Sequence, residues 1–403
     1  MAGPLKNIKV LDLSRVLAGP WASQILADLG ADVTKVERPG SGDDTRGWGP
    51  PYLKDRDGVE TSESAYYLST NRGKRSIAID IKSNAGQEII KKLALDADIV
   101  LENFKVGGLK KYRLDYESLA KINPAIIYCS ITGFGQTGPR ADEAGYDFII
   151  QGMGGLMSFT GTDEGGPLKV GTAVADLTTG MYAVIAILGA LHHRGQTGQG
   201  QYIDLALLDV QASWLANQGM NHLIGGYQPK RRGNSHPNIV PYQDFKTKDG
   251  QVIVAVGNDR QFRKLAKLIG QPGLAQAGRY KTNRQRVEKR EELIPVLTEA
   301  FGKKTVAEWL GLLKDLKIPA GPINDLAETY SDPQIVHRKL VRTLSHPLAG
   351  TVPQVTTPIK YSKTGLEYKI PPPLLGQHTD EILAELGFHG GEIKAFRDQG
   401  VVG

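Results

Sequence analysis

The chain has 403 residues, 23% charged and 40% hydrophobic, with a net charge of +6. That size and mixture fit a soluble globular protein of two domains and exclude a disordered or collagen-like chain. Its Lys and Arg are scattered, which suits anionic small molecules better than a nucleic-acid groove. The single cysteine, Cys129, excludes an internal disulfide framework and a cysteine-paired zinc site and points to a reducing compartment.

In chain order, Ile8–Leu13 is an apolar run that predicts a strand, so close to the N-terminus that no room is left for a signal or transit peptide. A helix is expected over 21–30, where Ile25, Leu26 and Leu29 share one side, then strands over 32–37 and 76–81. A helix over 86–97, a strand over 99–103, a short helix over 116–122 and a strand over 125–131 follow. Strands alternating with helices predict an α/β domain, a mostly parallel, Rossmann-like sheet covered on both faces. Cys129 falls inside the last of these apolar runs and reads as a buried strand residue.

Residues 146–225 read as mainly helical, broken by 201–207. The near-apolar stretch from Met181 to Leu191 ends at His192-His193-Arg194 and is too short to cross a bilayer. From 226 the texture changes. Pro229–Pro237 is a polar, turn-rich connector, and 242–247 and 251–257 flank Lys248-Asp249-Gly250, a strong hairpin signal. Helices are expected near 260–269, 291–302 and 305–316. These signals predict a large domain over 1–225 and a smaller α+β domain over 226–328. A proline-bearing extended tail over 329–403, with one helix at 379–386, would return to the large domain or to a partner chain.

Most motif tests fail. Gly40-Ser41-Gly42-Asp43-Asp44-Thr45 has Thr where the third glycine of a dinucleotide fingerprint belongs, and it follows the second strand instead of the first. No Walker A loop and no Gly-x-Ser-x-Gly elbow occur. His192 and His193 are adjacent and cannot share a helix face as metal ligands. What survives lies at strand ends, where open α/β sheets bind ligands: Glu37-Arg38-Pro39, Asn71-Arg72-Gly73-Lys74-Arg75 and Glu102-Asn103-Phe104. Together they suggest a phosphate-bearing ligand of purine size.

One carboxylate stands out. Asp176 follows Val170-Gly171-Thr172-Ala173-Val174-Ala175 and opens the longest apolar helix. At a helix start it would face free N–H groups and partial positive charge, which keep a carboxylate ionised even when partly buried. A poorly hydrated carboxylate is a nucleophile; an Asp in this position is also a preferred N-cap.

These stretches, in this order, resemble the class III CoA-transferases. The resemblance runs from residue 5 to the C-terminus. Its motifs are Val10–Pro20, Gly30–Pro39, Asn71–Ser76, Glu102-Asn103-Phe104, Gly133–Pro139, Gly145-Tyr146-Asp147, Ala175-Asp176 and Pro373–Thr379. Gly42–Arg46, Ile239–Tyr242 and Pro371–His378 look most like the branch acting on hydroxymethylglutarate or glutarate.

The resemblance implies transfer of CoA from an acyl-CoA donor such as succinyl-CoA to a free dicarboxylic acid, through an aspartyl anhydride and an aspartyl-CoA thioester on Asp176. It implies no permanently bound cofactor, CoA thioesters as substrates, an interlocked homodimer, and a bacterial cytoplasm or mitochondrial matrix as the compartment. Carried over by motif, Val16 and Ala18 lie beside the pantetheine and Arg38 near the nucleotide. Ile79 and Lys82 flank adenine and phosphate, Asn103, Phe104 and Lys111 line the path, and Tyr146 and Asp147 stand near the reacting end. Arg232–His236 and Gly257-Asn258-Asp259 are candidates to lie over the site, and His236 is taken as a substrate contact. A dicarboxylate needs a cation for its far end; Arg15, Arg46 and Arg72 are the candidates.

Lys111 stands where the formyl-CoA transferase type has Arg, which keeps the charge but loses the fork. Leu17 stands where that type has Gln, and its tetraglycine loop is missing, which speaks against formyl or oxalyl chemistry. The racemases of this fold carry Gly-His-Asp where this chain has Gly145-Tyr146-Asp147, and a phenol is a poor base near neutral pH. A non-catalytic CoA-binding subunit is the other alternative, and Asp176 argues against it.

Overall fold

Where the sequence alternates apolar strand with amphipathic helix, the chain builds a parallel sheet. The computed structural model describes residues 2–276 and 278–403. Its first eight strands are β1 (Lys9–Asp12), β2 (Asp32–Glu37), β3 (Tyr52–Lys54), β4 (Glu60–Ser64), β5 (Lys74–Ala78), β6 (Ile99–Glu102), β7 (Ile127–Thr132) and β8 (Gln201–Ala206). Six of them form one sheet in the order β5-β2-β1-β6-β7-β8, and every neighbouring pair is parallel. Counted among themselves these strands run 3-2-1-4-5-6, so the winding direction reverses between β1 and β6. The segment expected as a break between helices, 201–207, supplies the sixth strand. β3 and β4 form a separate hairpin that the sequence reading did not foresee.

Alternation sends side chains to two cores. Val10, Val33, Ile99, Leu101, Ile127 and Cys129 pack beneath the helices Ala18–Asp28 and Val174–Thr197. Leu11, Val36, Ile77, Val100 and Tyr128 pack beneath the helices Asn84–Asp96 and Thr379–Glu385. Cys129 is fully buried, and burial pushes its thiol pKa up, as an inert core residue requires.

The Val174–Thr197 helix has 24 residues, longer than the apolar stretch read from the sequence, and is the one helix among the described residues long and apolar enough to cross a membrane. One face of it, with Ala175, Ala183, Val184, Ile187 and Ala190, lies in the core.

The chain divides into two compact units. The first comprises residues up to Met157, Lys169–Tyr227 and Ile335–Gly403; the second comprises Ser158–Leu168 and Gln228–Gln334. The expected breaks were at 225/226 and 328/329; the observed ones fall two and six residues later, and 158–168 joins the second unit.

In the first unit the tail seals the free edge of β5. His378 N donates to Ser76 O (2.9 Å), Ser76 N to His378 Nδ1 (3.1 Å), Ala78 N to Thr379 Oγ1 (3.2 Å) and Gly403 N to Ala78 O (3.1 Å). This covering removes an exposed sheet edge, and it gives the Pro373–Thr379 motif a structural task.

The second unit is built on an antiparallel sheet of β9 (Tyr242–Lys246), β10 (Gln251–Ala255) and β11 (Ala320–Pro322), in the order β11-β10-β9. β9 and β10 meet at the expected Lys248-Asp249-Gly250 turn. Phe245, Phe262, Leu297, Phe301 and Trp309 form its core. Asn258 caps the helix Asp259–Leu268, accepting from Gln261 N.

Candidate active site

The loop leaving β1 lies at the switch point and is held by neighbouring strand ends. Leu13 N donates to Leu101 O (2.8 Å). Asn103, just beyond β6, accepts from Arg15 N (2.9 Å) and donates to Arg15 O (2.7 Å). Lys35 Nζ donates to Ser14 O (2.8 Å), and Val16 N is bound by the Asp43 carboxylate. Val16 has φ +71°. For a β-branched residue that conformation is strained by about 1–3 kcal/mol.

Two cavities open on this loop. The larger, of about 370 Å³, is lined by Ser14, Arg15, Lys35, Arg38, Ile79, Lys82 and Phe104, among others. The smaller, of about 150 Å³, is lined by Arg15, Val16, Ala18, Asn103, Phe104, Tyr146 and Asp176, among others. Arg15 and Phe104 belong to both, so one cleft runs from Arg38 and Lys82 at one end to Asp176 at the other. Arg38 and Lys82 are exposed and are in no ion pair among the described residues. Ten of the expected positions therefore line one cleft: Arg15 and the nine carried over by motif, Val16, Ala18, Arg38, Ile79, Lys82, Asn103, Phe104, Tyr146 and Asp176.

Two glycines allow the approach. A Cβ on Gly180, one helical turn after Asp176, would come within 2.6 Å of Ala18 O. A Cβ on Gly133, after β7, would come within 2.6 Å of the Gly145 Cα. The first contact packs the Asp176 helix against the start of Ala18–Asp28, and the second brings Gly145-Tyr146-Asp147 to the end of the sheet.

Asp176 is the third residue of Val174–Thr197, whose N-cap residue is Ala173 and makes no side-chain cap bond. Capping is done by Asp147, whose Oδ1 accepts from Ala175 N (2.9 Å). Asp147 Oδ2 accepts from Gln151 Nε2 (2.8 Å), and Gln151 Oε1 accepts from Val170 N (2.8 Å). The N-cap alternative for Asp176 is thereby set aside.

Burial pushes the Asp176 carboxyl up to about 7, and the Asp147 charge adds to this. The expectation that the helix start keeps it ionised is corrected: Ala175 N is already taken, and no side-chain or backbone donor among the described residues offsets burial.

Other expectations are corrected by the partners found. Arg46 is buried and spends its guanidinium on Glu37 (Nε–Oε2 2.8 Å), Glu63 (Nη1–Oε2 2.9 Å) and Pro373 O (3.0 Å), stacked on Tyr67. Arg72 is buried against Asp28 and donates to Val355 O (2.8 Å). Neither guanidinium is available to a substrate. Arg15 differs: it is half exposed in the cleft, with an Asp44 ion pair at 2.7 Å. Lys111 lines neither cavity; its Nζ lies 4.8 Å from the Tyr112 ring centroid. His236 belongs to the second unit, where its Nδ1 accepts from Asn238 N (3.1 Å) and its ring lies 5.2 Å from that of Tyr242. Burial, then the Arg290 charge, lowers its pKa.

The sequence reading missed Tyr66 and the interior role of Glu102. The Tyr66 phenol is pushed up to about 12 by burial and then by Asp176, Asp147 and Asp43. Nothing in its local pattern marks it, because the carboxylates it feels are distant in sequence. Glu102 ends β6, accepts from Phe104 N (2.7 Å) and is raised to about 7 by burial, against hydrogen bonds from Ser130 and Phe104.

The model of CoA-transferase family III matches residues 5–379. The chain is 52% identical to the succinate–glutarate CoA-transferase of Agrobacterium fabrum, over 95% of this chain and 96% of that one. It is 47% identical to the succinyl-CoA:glutarate CoA-transferase of Homo sapiens, over 95% and 86%. The crystal structure of a CaiB/BaiF family protein from Brucella suis is similar with a TM-score of 0.85 at 49% identity, covering 96% of this chain and all of that one. With a single cleft holding nine of the positions that motif matching assigned, and matches of this length, the chain belongs to CoA-transferase family III and is a CoA-transferase.

Proposed function

We propose that the protein moves CoA from succinyl-CoA to glutarate or a related dicarboxylate such as hydroxymethylglutarate, with Asp176 as the nucleophile. The observation that carries this reading is a carboxylate with no compensating donor among the described residues, at the inner end of a cleft whose far end bears Arg38 and Lys82. The names of the Agrobacterium and human relatives support the substrate pair.

An Asp176 oxygen attacks the thioester carbonyl, the C–S bond breaks, and a mixed anhydride and CoA thiolate result. The thiolate attacks the aspartyl carbonyl and expels succinate, leaving an aspartyl-CoA thioester. The acceptor carboxylate attacks that carbonyl and releases the thiolate, which then attacks the acceptor's carbonyl. Acyl-CoA departs and the Asp176 carboxylate is regenerated, with no net proton consumed. Splitting the exchange this way is covalent catalysis.

Arg38 and Lys82 suit the nucleotide phosphates. Val16, Ala18, Asn103 and Phe104 suit the pantetheine arm, and Ile79 the adenine. Arg15 is the cation best placed for the distal carboxylate, since Arg46 and Arg72 have internal partners. Tyr146 and Asp147 border the reacting end. CoA thioesters enter as substrates and no resident cofactor is required.

Rapid quenching of enzyme loaded with succinyl-CoA, followed by intact-mass and peptide analysis, should find the adduct on Asp176. Asp176→Ala should lose about 10⁴-fold in turnover. An adduct on another residue, or full activity in Asp176→Ala, removes the mechanism.

The homodimer belongs to the same proposal. Phe148, Ile149 and Met153 are exposed on one helix, Met181, Ile185 and Leu188 on another, and Leu223 and Ile224 on a third. Apolar surface of this extent suits a second copy of the chain. Sedimentation equilibrium showing only monomer at micromolar concentration would remove it.

A further inference from the structure

Three consecutive residues of the β1 loop are each held by a different side chain: Ser14 by Lys35, Arg15 by Asn103 and Val16 by Asp43. The third of these holds the strained residue. Val16 N donates to both Asp43 oxygens, at 3.2 and 3.3 Å. Asp43 is itself immobilised. Its Oδ1 accepts from Thr45 N (3.0 Å) and Thr45 Oγ1 (2.8 Å), and its Oδ2 pairs with the Lys35 ammonium at 2.9 Å, both side chains being buried. A β-branched residue leaves the left-handed region when nothing retains it.

We infer that Asp43 is a positioning residue for acyl-CoA: it retains Val16 at positive φ and so sets the wall of the cleft between Arg15 and Ala18. The inference rests on the reading of that cleft as the acyl-CoA path. When the anchor is removed, the loop relaxes, acyl-CoA binds less well, and the chemistry of bound substrate at Asp176 continues. The geometry requires a short acidic side chain: Asp43 reaches the loop and Lys35 at once, from the turn after β2.

The test is a double-mutant cycle between positions 43 and 16. Asp43→Ala, which leaves no acceptor for Val16 N, should raise KM for succinyl-CoA about tenfold, the scale of a hydrogen bond to a charged group, with kcat within about twofold. Glycine adopts positive φ without strain. In a Val16→Gly background Asp43→Ala should therefore raise KM by no more than about threefold. The same loss in both backgrounds would overturn the inference and leave Asp43 as an ion-pair partner of Lys35 alone. If Asp43→Ala does not fold, Asp43→Glu, which keeps a charge for Lys35, replaces it in the cycle with the same expectations.

Amide hydrogen exchange needs no substrate. At Val16 in the free protein it should accelerate at least about tenfold in the position-43 variant. Unchanged exchange overturns the inference. A wild-type protein inactive with succinyl-CoA would remove the substrate reading instead, and the exchange result would still decide the role of Asp43.

Discussion

Two aspartates in the first unit, Asp43 buried and Asp176 partly buried, behave in opposite ways. Asp43 is held down to about 2: burial pushes it up, but the Lys35 charge and the Thr45 hydrogen bonds outweigh that push. Asp176 is raised to about 7, because burial is joined by a second carboxylate, Asp147, and opposed by nothing. The difference lies in the partners. Around Asp43 the chain gathers Asp12, Lys35, Glu37, Arg46 and Lys74 into contacts that satisfy each charge. Around Asp176 it withholds donors. A carboxylate that holds a loop is saturated; a carboxylate in the proposed role of nucleophile needs its oxygens free for the carbonyl.

The contrast predicts opposite stability effects from removing a charge. Arg46→Met leaves Glu37 and Glu63 buried without their cation and should destabilise the protein by about 3–5 kcal/mol. Asp176→Asn should stabilise it. The folded-state pKa of Asp176 is raised, so its ionisation opposes folding, and stability falls as pH climbs from the ordinary carboxylate value through about 7. Removing the charge should therefore add about 2 kcal/mol at pH 8, shrinking toward zero as pH is lowered to about 4. Urea unfolding of both variants across that range reads the comparison directly. A loss below about 1 kcal/mol in Arg46→Met would show that the paired region contributes little. No gain in Asp176→Asn at pH 8 would show that the carboxylate has compensating donors in solution.

The same contrast marks how far residue order alone can lead. Strand and helix alternation is legible because apolar periodicity is local: β2 spans 32–37 as expected, and Asp249-Gly250 turns the β9–β10 hairpin. Asp176 is legible for the same reason, as an acid between small residues and an apolar helix. Partners are not local. Arg46 and Arg72 look free in the sequence because Glu63 lies 17 residues from Arg46 and Asp28 lies 44 from Arg72. The direction of the Asp176 shift was misread because it depends on burial in the finished fold and then on Asp147, which takes the Ala175 amide from 28 residues away. β8 was taken for a break between helices because only the finished sheet gives 201–206 a neighbour to pair with. The helix Gly390–Asp398 was missed because it opens on two glycines, which carry no helical signal.

The smallest expected effect is the most discriminating. If Asp176 acts ionised, kcat/KM for succinyl-CoA should rise with pH through a midpoint of about 7. Asp147→Asn removes the second cause of the elevation and leaves the first, burial. The midpoint should then move to lower pH, by about one pH unit and not back to the ordinary carboxylate value. The variant keeps an oxygen for Ala175 N, so the helix start stays capped. It loses the acceptor that Gln151 Nε2 uses, which loosens the 170–175 loop and should lower the plateau rate as well. The two effects separate: the plateau reports the loop, the midpoint reports the charge. A midpoint that stayed put while the plateau fell would make Asp147 a cap and nothing more. A midpoint that moved upward would mean that some other group limits the reaction on the acid side, and that the contrast between the two aspartates has no part in setting the rate.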